Sequence, residues 1–85
     1  MSTFDKIKVK ILSTPAANDF TPTEIQHFLE KYGFVCVRSK GSHFIYKYPS
    51  NDIVSNLVIP MHNPIKPAYI EQIAKRINEI EGDEK

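Results

Sequence analysis

Cysteine is nearly absent from this chain, which limits the chemistry available to it. Cys36 is the only cysteine among 85 residues, so neither an internal disulfide nor a cluster of thiolate metal ligands can form. Cys36 lies within an apolar run, residues 34–37, and cysteine in such a run is usually a small buried hydrophobe. We therefore expect Cys36 to be buried, with a catalytic thiolate as the alternative.

Long hydrophobic runs and a strong net charge are also missing. No apolar run approaches the roughly 20 residues needed to cross a bilayer, and the first residues lack the apolar core of a signal peptide. We expect a cytoplasmic protein without a membrane partner. The formal net charge is only +1, but residues 1–78 hold ten Lys and Arg against six Asp and Glu, a balance of +4 that mildly favours an anionic partner.

The residues that are present suffice for one folded domain. Of the 85 residues, 41% are hydrophobic and 25% are charged, values typical of a globular protein and unlike those of a disordered one. A chain of this length supports one modest core. We expect a single domain over residues 1–85, divided into an N-terminal extension at 1–20, a core at 21–80 and a frayed acidic tail at 81–85.

The N-terminal segment, residues 4–12, carries two competing patterns. Ile7, Val9 and Ile11 alternate with lysines, which favours a strand. Phe4, Ile7 and Ile11 also fit one face of a helix. Periodicity alone slightly favours the strand.

The next segment has the start and stop signals of a helix. Thr21 is a suitable N-cap, Pro22 a suitable first residue and Glu24 the partner that completes a capping box. Gly33 is a natural left-handed stop. A continuous apolar face lies between these ends and consists of Ile25, Phe28, Leu29 and Tyr32.

Three strands and a last helix are predicted to follow. Residues 34–38 and 42–48 are rich in β-formers and are joined by a turn short enough for a hairpin. A third strand is expected within 53–60, where Pro60 ends it. Pro67 opens the last helix. Its buried stripe comprises Ile70, Ile73, Ala74, Ile77 and Ile80. An α+β fold with a three-stranded antiparallel sheet and both helices on one face would bury both helical stripes.

One stretch contains most of the side chains that could bind a phosphate or transfer a proton. Lys40 and Gly41 precede an aromatic strand that begins with Ser42 and His43 and carries Lys47. The glycine turn allows a phosphate to approach the backbone closely, the serine can donate to a phosphate oxygen, and the lysines supply positive charge. These groups together predict a contact with RNA.

Alternation along this strand separates its side chains into two faces. His43 and Lys47 share one face, whereas Phe44 and Tyr46 share the other. We expect the aromatic face to pack on the helices, so that His43 and Lys47 project together from the open face.

Four segments have a recognisable order and spacing. They are Gly33-Phe34, Lys40-Gly41-Ser42-His43-Phe44-Ile45-Tyr46, Val58-Ile59-Pro60-Met61-His62 and Lys66-Pro67-Ala68-Tyr69-Ile70. In this arrangement the chain resembles the HicA family, also called YcfA-like. The Gly-Ser-His that is followed by alternating apolar and aromatic residues is the most specific part of the resemblance.

This resemblance implies a fold and an activity. The fold is that of a double-stranded-RNA-binding domain, α-β-β-β-α. The activity is that of a type II toxin, an mRNA interferase: a metal-independent endoribonuclease that cuts mRNA and is neutralised by a HicB-like antitoxin. Family members with an extended N-terminus usually begin with a helix, so the resemblance favours a helix at residues 4–12 over the strand.

The resemblance also assigns the site. The family's catalytic histidine falls on His43, and histidine suits the proton steps of RNA cleavage because its pKa lies close to physiological pH. Whether it is base, acid or both stays open, and the second proton group could be His62, Tyr46 or a lysine. From the chemistry of their own side chains and backbone, the residues expected to bind RNA are Lys40, Gly41, Ser42, Lys47, His62 and Lys66.

Two other functions are compatible with the sequence. One is an RNA-binding module without catalysis, because a fold does not fix a function. The other is a subunit that only binds its antitoxin. The three histidines lack zinc-ligand spacing and no carboxylate cluster accompanies them, so we expect no metal site and no cofactor.

Overall fold

Three helices and three strands make up the chain in a computed structural model that describes residues 3–51 and 53–82. The elements are α1 (Thr3–Leu12), α2 (Pro22–Tyr32), β1 (Val35–Lys40), β2 (His43–Lys47), β3 (Leu57–Pro60) and α3 (Pro67–Gly82). This order confirms the predicted α+β fold, α-β-β-β-α with one further element at the N-terminus.

The strands form one antiparallel sheet in the order β1-β2-β3, so that β1 and β3 are its edges. Phe44 and Tyr46 of β2 lie opposite Ile59 and Leu57 of β3, and all four side chains belong to the core. The apolar faces of α2 and α3 pack against them. The helices therefore cover one face of the sheet, and the face that carries His43 is open, as predicted.

The helix α2 begins and ends where the sequence indicates. The Thr21 hydroxyl accepts from the backbone N–H of Glu24 at 3.2 Å, and the Glu24 carboxylate accepts from the backbone N–H of Thr21 at 2.9 Å. This reciprocal pair is a capping box. Gly33 ends the helix with φ 124°, and its N–H donates to the Leu29 carbonyl at 3.2 Å.

The N-terminal segment is a helix, so the alternation of Ile7, Val9 and Ile11 with lysines is misleading and the expectation from the resemblance is confirmed. Ile11 is only 1% exposed, whereas Val9 is 55% exposed, which fits a helical stripe and not a half-buried strand. The Phe4 ring stacks on the Phe28 ring with centroids 5.0 Å apart. Helix α1 is therefore part of the core that α2 and α3 build.

Helix α3 runs beyond the predicted core boundary at residue 80. Glu81 is inside the helix and is held by two contacts: its carboxylate lies 2.6 Å from the Lys8 ammonium and accepts from the Tyr32 hydroxyl at 2.6 Å. These contacts tie the end of the last helix to α1 and α2. Residues 83–85 of the predicted frayed tail lie outside the described residues.

Cys36 is exposed, which contradicts the prediction that it is buried. It belongs to β1, an edge strand in which every residue is exposed. Val35 and Val37 on either side are 50% and 53% exposed, so the helical layer does not cover this strand. The pairing with β2 is also irregular between Cys36 and Arg38. Only Phe34 of the apolar run 34–37 belongs to the core, and the residues of the run that lie in β1 are exposed.

Candidate active site

Gly41 and Ser42 form the two-residue turn of the β1–β2 hairpin, because Lys40 and His43 face each other across it. Gly41 has a φ of +59°, and a positive φ at the first turn position is typical of a type II′ hairpin. A Cβ at this glycine would meet nothing within 4 Å, so the backbone conformation and not the lack of space requires glycine. The turn thus places Lys40 beside His43.

The end of β3 is held against this turn. The Met61 N–H donates to the Ser42 carbonyl at 2.6 Å, and the His62 N–H donates to the Pro60 carbonyl at 3.0 Å, which turns the chain sharply. Ser42 Oγ and His62 Nε2 lie 3.4 Å apart, a long hydrogen bond whose direction depends on the histidine tautomer. The histidine that follows the third strand therefore lies beside the turn that carries His43.

His43 and His62 line one cleft, of about 210 Å³, together with Pro60, Lys66 and Tyr69. Pro60 lies directly opposite His43 in the sheet register and also lines the cleft. Lys66 immediately precedes the first residue of α3, where the helix dipole attracts anions. Two imidazoles and one ammonium from two separate parts of the sequence, residue 43 and residues 62–66, thus share one concave surface.

The remaining predicted residues take different places around this cleft. Gly41 and Ser42 are not among the lining residues, although the Ser42 hydroxyl contacts the His62 ring. Lys40 lies on the β1 side of His43, away from α3. Lys47 is on the same strand and face as His43 but four residues further along, about 13 Å away, and it is not among the lining residues. The structure therefore separates Lys47 from the other groups.

Tyr46 is removed from the site by burial. Its side chain faces the helices and is 2% exposed. Burial raises the pKa of Tyr46 to about 12, and the nearby Cys36 and Glu30 add to the rise. Because the phenol is on the opposite face of the sheet from His43, it cannot exchange protons with a molecule in the cleft. Of the second proton groups left open by the sequence, His62 and the lysines remain.

Tyr69 lines the cleft and was not predicted to do so. It lies three residues after Lys66, a spacing that puts two side chains on the same side of a helix. It is also outside the buried isoleucine stripe of α3. The sequence contains both signals, the spacing from Lys66 and the position outside the stripe, but they indicate the cleft only when Lys66 is known to line it.

A larger groove, about 490 Å³, lies between the end of α1 and α3. Its described lining contains no histidine or cysteine, and its charged groups are Glu71, Lys75 and Glu79. The chemistry therefore points to the smaller cleft. Within residues 3–51 and 53–82, no three His, Cys, Asp or Glu side chains are grouped so as to hold a metal ion, and no helix is long and apolar enough to span a membrane.

A family model described as the HicA toxin of bacterial toxin–antitoxin systems matches residues 23–78, more than half of the chain. The chain belongs to the HicA toxin family. No curated protein and no solved structure matches it. The matched segment includes every residue that lines the cleft, whereas α1 lies outside it. Membership in HicA, a family of toxins from toxin–antitoxin systems, implies that an antitoxin is the partner of this protein.

Proposed function

We propose that this HicA family member is an endoribonuclease that cuts mRNA in the cleft between the β1–β2 turn and α3. The observation that carries the proposal is the pairing of His43 and His62 with Lys66 on one concave surface. Cleavage of RNA needs a group that accepts a proton, a group that donates one and positive charge near the phosphate. These three side chains supply all of them.

The reaction begins with the 2′-hydroxyl of the ribose on the 5′ side of the cut. Its oxygen forms a new bond to the adjacent phosphorus, and its proton passes to an imidazole that acts as the base. The bond from phosphorus to the 5′ oxygen breaks, and that oxygen takes a proton from a second, protonated imidazole. His43 and His62 are these two imidazoles. The products are a 2′,3′-cyclic phosphate and a free 5′-hydroxyl.

The phosphate is stabilised by charge from two sides of His43. Lys66 reaches the cleft from the start of α3, where the helix dipole adds a partial positive charge. Lys40 lies beside His43 on the other side, across the hairpin. Positive groups placed where charge develops lower the barrier because they need no rearrangement during the reaction. The chemistry uses no metal ion and no cofactor.

The partners follow from this activity. The substrate is mRNA, so the protein acts in the cytoplasm. Its antitoxin is a HicB-like protein that neutralises the nuclease. Expression of the toxin alone arrests growth, and co-expression of the antitoxin restores it.

The test is a cleavage assay on RNA with purified protein freed of its antitoxin, in the presence of EDTA. The variants are His43→Ala, His62→Ala and, as a matched control, His27→Ala, because His27 is an exposed histidine on α2 outside the cleft. We expect the wild type and His27→Ala to cleave equally, and each cleft variant to lose about 10²- to 10⁴-fold in rate.

Two outcomes contradict the proposal. If His43→Ala cleaves like the wild type, the cleft is not the active site. If the wild type binds RNA in a salt-sensitive way and yields no products over long incubation, the protein is an RNA-binding module without catalysis.

A further inference from the structure

Tyr69 belongs to α3 and lines the cleft together with the two histidines. Its side chain is half-buried and packs in part against the core, so the ring is held in place. A supported ring that also borders a cleft presents an apolar surface at low entropic cost, since tyrosine has few rotatable bonds. This arrangement differs from that of a tyrosine that only fills the core.

Five of the other aromatic rings contact one another within the fold. Six stacked or tilted ring pairs connect one cluster across α1, α2, β1 and the end of β2. Its members are Phe4, Phe28, Tyr32, Phe34 and Tyr48. None of these ring pairs includes Tyr69. The ring of Tyr69 is therefore placed beside the catalytic groups and outside the aromatic cluster of the fold.

The geometry points to Tyr69 as the stacking platform for one unpaired base next to the scissile phosphate, which makes single-stranded RNA the substrate of this cleft. This inference rests on the proposed ribonuclease function. Proteins that read single-stranded RNA stack its splayed bases on aromatic side chains. In a duplex both faces of each base are already stacked on neighbouring pairs, so no face is left for Tyr69.

The size of the cleft agrees with one base. Pockets that enclose a whole drug-sized ligand measure about 300–1,000 Å³, and this cleft measures about 210 Å³. One nucleotide of an RNA strand fits in the cleft, while the rest of the strand stays outside. The neighbouring charges indicate the path of the RNA strand.

Lys40, His43 and Pro60 lie side by side across β1, β2 and β3, with neighbouring strands about 4.8 Å apart. Lys40 is thus on one side of His43, and Tyr69 is on the other. An RNA strand that crosses the ends of the strands places a phosphate at Lys40 and a base at Tyr69, with the scissile bond at His43 between them.

The binding experiment uses a short single-stranded oligoribonucleotide that carries one 2-aminopurine, a base whose fluorescence is quenched when it stacks. The 2-aminopurine is moved through successive positions, and binding is measured to the His43→Ala variant so that no cleavage occurs. We expect strong quenching at one position, adjacent to the cleavage point of the wild type. Adding Tyr69→Leu removes this quenching and weakens binding by about 5- to 150-fold, whereas Tyr69→Phe keeps both.

The kinetic arm separates stacking from a structural role. Because a stacked base is held equally in the ground state and the transition state, Tyr69→Leu in the otherwise wild-type protein raises KM and leaves kcat nearly unchanged. An oligoribonucleotide with an abasic site at the quenched position shows the same rise in KM with wild type, and Tyr69→Leu adds no further loss. His27→Ala serves as the unchanged control in every measurement.

The outcomes distinguish this inference from the proposed function. Quenching that survives Tyr69→Leu, or equal binding of the oligoribonucleotide and its duplex, overturns the stacking platform even if RNA is cleaved. Quenching that depends on Tyr69, without cleavage by the wild type, overturns the ribonuclease and leaves the platform standing as an RNA-binding site. A parallel fall in kcat and thermal stability in Tyr69→Leu, with quenching retained in folded protein, also contradicts the platform.

Discussion

The contacts of Glu81 make a stability prediction that depends on pH. Glu81 lies in the last turn of α3 and is held by the Lys8 ammonium of α1 and the Tyr32 hydroxyl of α2, both at 2.6 Å. Lys8 also lies over the Tyr32 ring, 5.8 Å from its centroid. One carboxylate thus links all three helices. Replacing Glu81 by Gln removes its charge and keeps its shape.

The expected loss is about 1 kcal/mol. Exposed ion pairs contribute about 0.2–1 kcal/mol, and a hydrogen bond to a charged acceptor contributes about 1.5–3 kcal/mol where water is excluded. The Glu81 side chain is 42% exposed and that of Lys8 is 28% exposed, so solvent screens both interactions. In a domain of this size, a loss of about 1 kcal/mol lowers the Tm by about 4–8 °C.

The pH dependence follows from the direction of the pKa shift. The hydrogen bond from Lys8, then that from Tyr32, lowers the pKa of Glu81 from its ordinary value of 4.5. A carboxylate whose pKa is lower in the folded state stabilises the fold above its unfolded pKa, and this stabilisation is lost as the pH falls through the folded value. The difference between wild type and Glu81→Gln is therefore full at pH 7 and shrinks below about pH 4.5.

The assay is urea denaturation of both proteins across this pH range. Glu79→Gln is the matched control, because Glu79 is on the same helix with similar exposure, 40%, but lies 3.8 Å from Arg76, a long ion pair. We expect Glu79→Gln to change the free energy of unfolding by less than about 0.5 kcal/mol. A difference for Glu81→Gln that stays constant down to acid pH refutes the reasoning, as does no difference at pH 7.

Three further predictions concern single positions. Thr21→Ala removes the capping box of α2 and lowers the free energy of unfolding by about 1 kcal/mol in urea denaturation, while an unchanged stability contradicts the cap. Gly41→Ala puts a side chain on a residue with a φ of +59° and costs about 1–2 kcal/mol in the same assay, although the space is open; a neutral result means that the turn relaxes. Cys36 reacts with a thiol reagent in the native protein as fast as in urea, because it is exposed; protection in the native state contradicts its position.

The start and stop signals around α2 predicted that helix correctly because they act locally. The cap, the first-turn proline and the terminal glycine each act within a few residues, so neighbours in sequence decide the outcome. The N-terminal segment behaved differently. Ile7 and Ile11 fit both a strand and a helix, and the choice was made by packing on α2 and α3, which no local pattern contains.

The edge strand β1 shows that the sequence predicts a strand more reliably than the burial of its residues. The composition of residues 34–37 predicted a strand and a buried Cys36. The strand is confirmed, but burial of a side chain depends on what covers the strand. Because β1 pairs on one side only and the helices leave it uncovered, Cys36 is exposed. By contrast, the alternation along β2 predicted correctly that Tyr46 faces the core and His43 faces outward, because the helices do cover that strand.

The candidate site was predictable by residue type and not by arrangement. His43 is far in sequence from His62 and Lys66, and the pairing of β2 with β3, together with the hydrogen bond from the Met61 N–H to the Ser42 carbonyl, brings the end of β3 to the hairpin turn. Lys47 looked close to His43 because the two share a strand face, yet the strand is extended and separates them. Distance across strands and turns, which the sequence does not contain, decides which groups meet.

The most direct test of the account is the pH dependence of RNA cleavage by wild type and by His62→Ala. If His43 and His62 supply the two proton steps, the single-turnover rate of the wild type follows a bell-shaped curve with one limb for the base and one for the acid. His62→Ala then cleaves slowly and loses one limb. If His62→Ala keeps both limbs of the bell-shaped curve, however fast or slowly it cleaves, the claim that the two histidines of the cleft divide the proton transfers is contradicted.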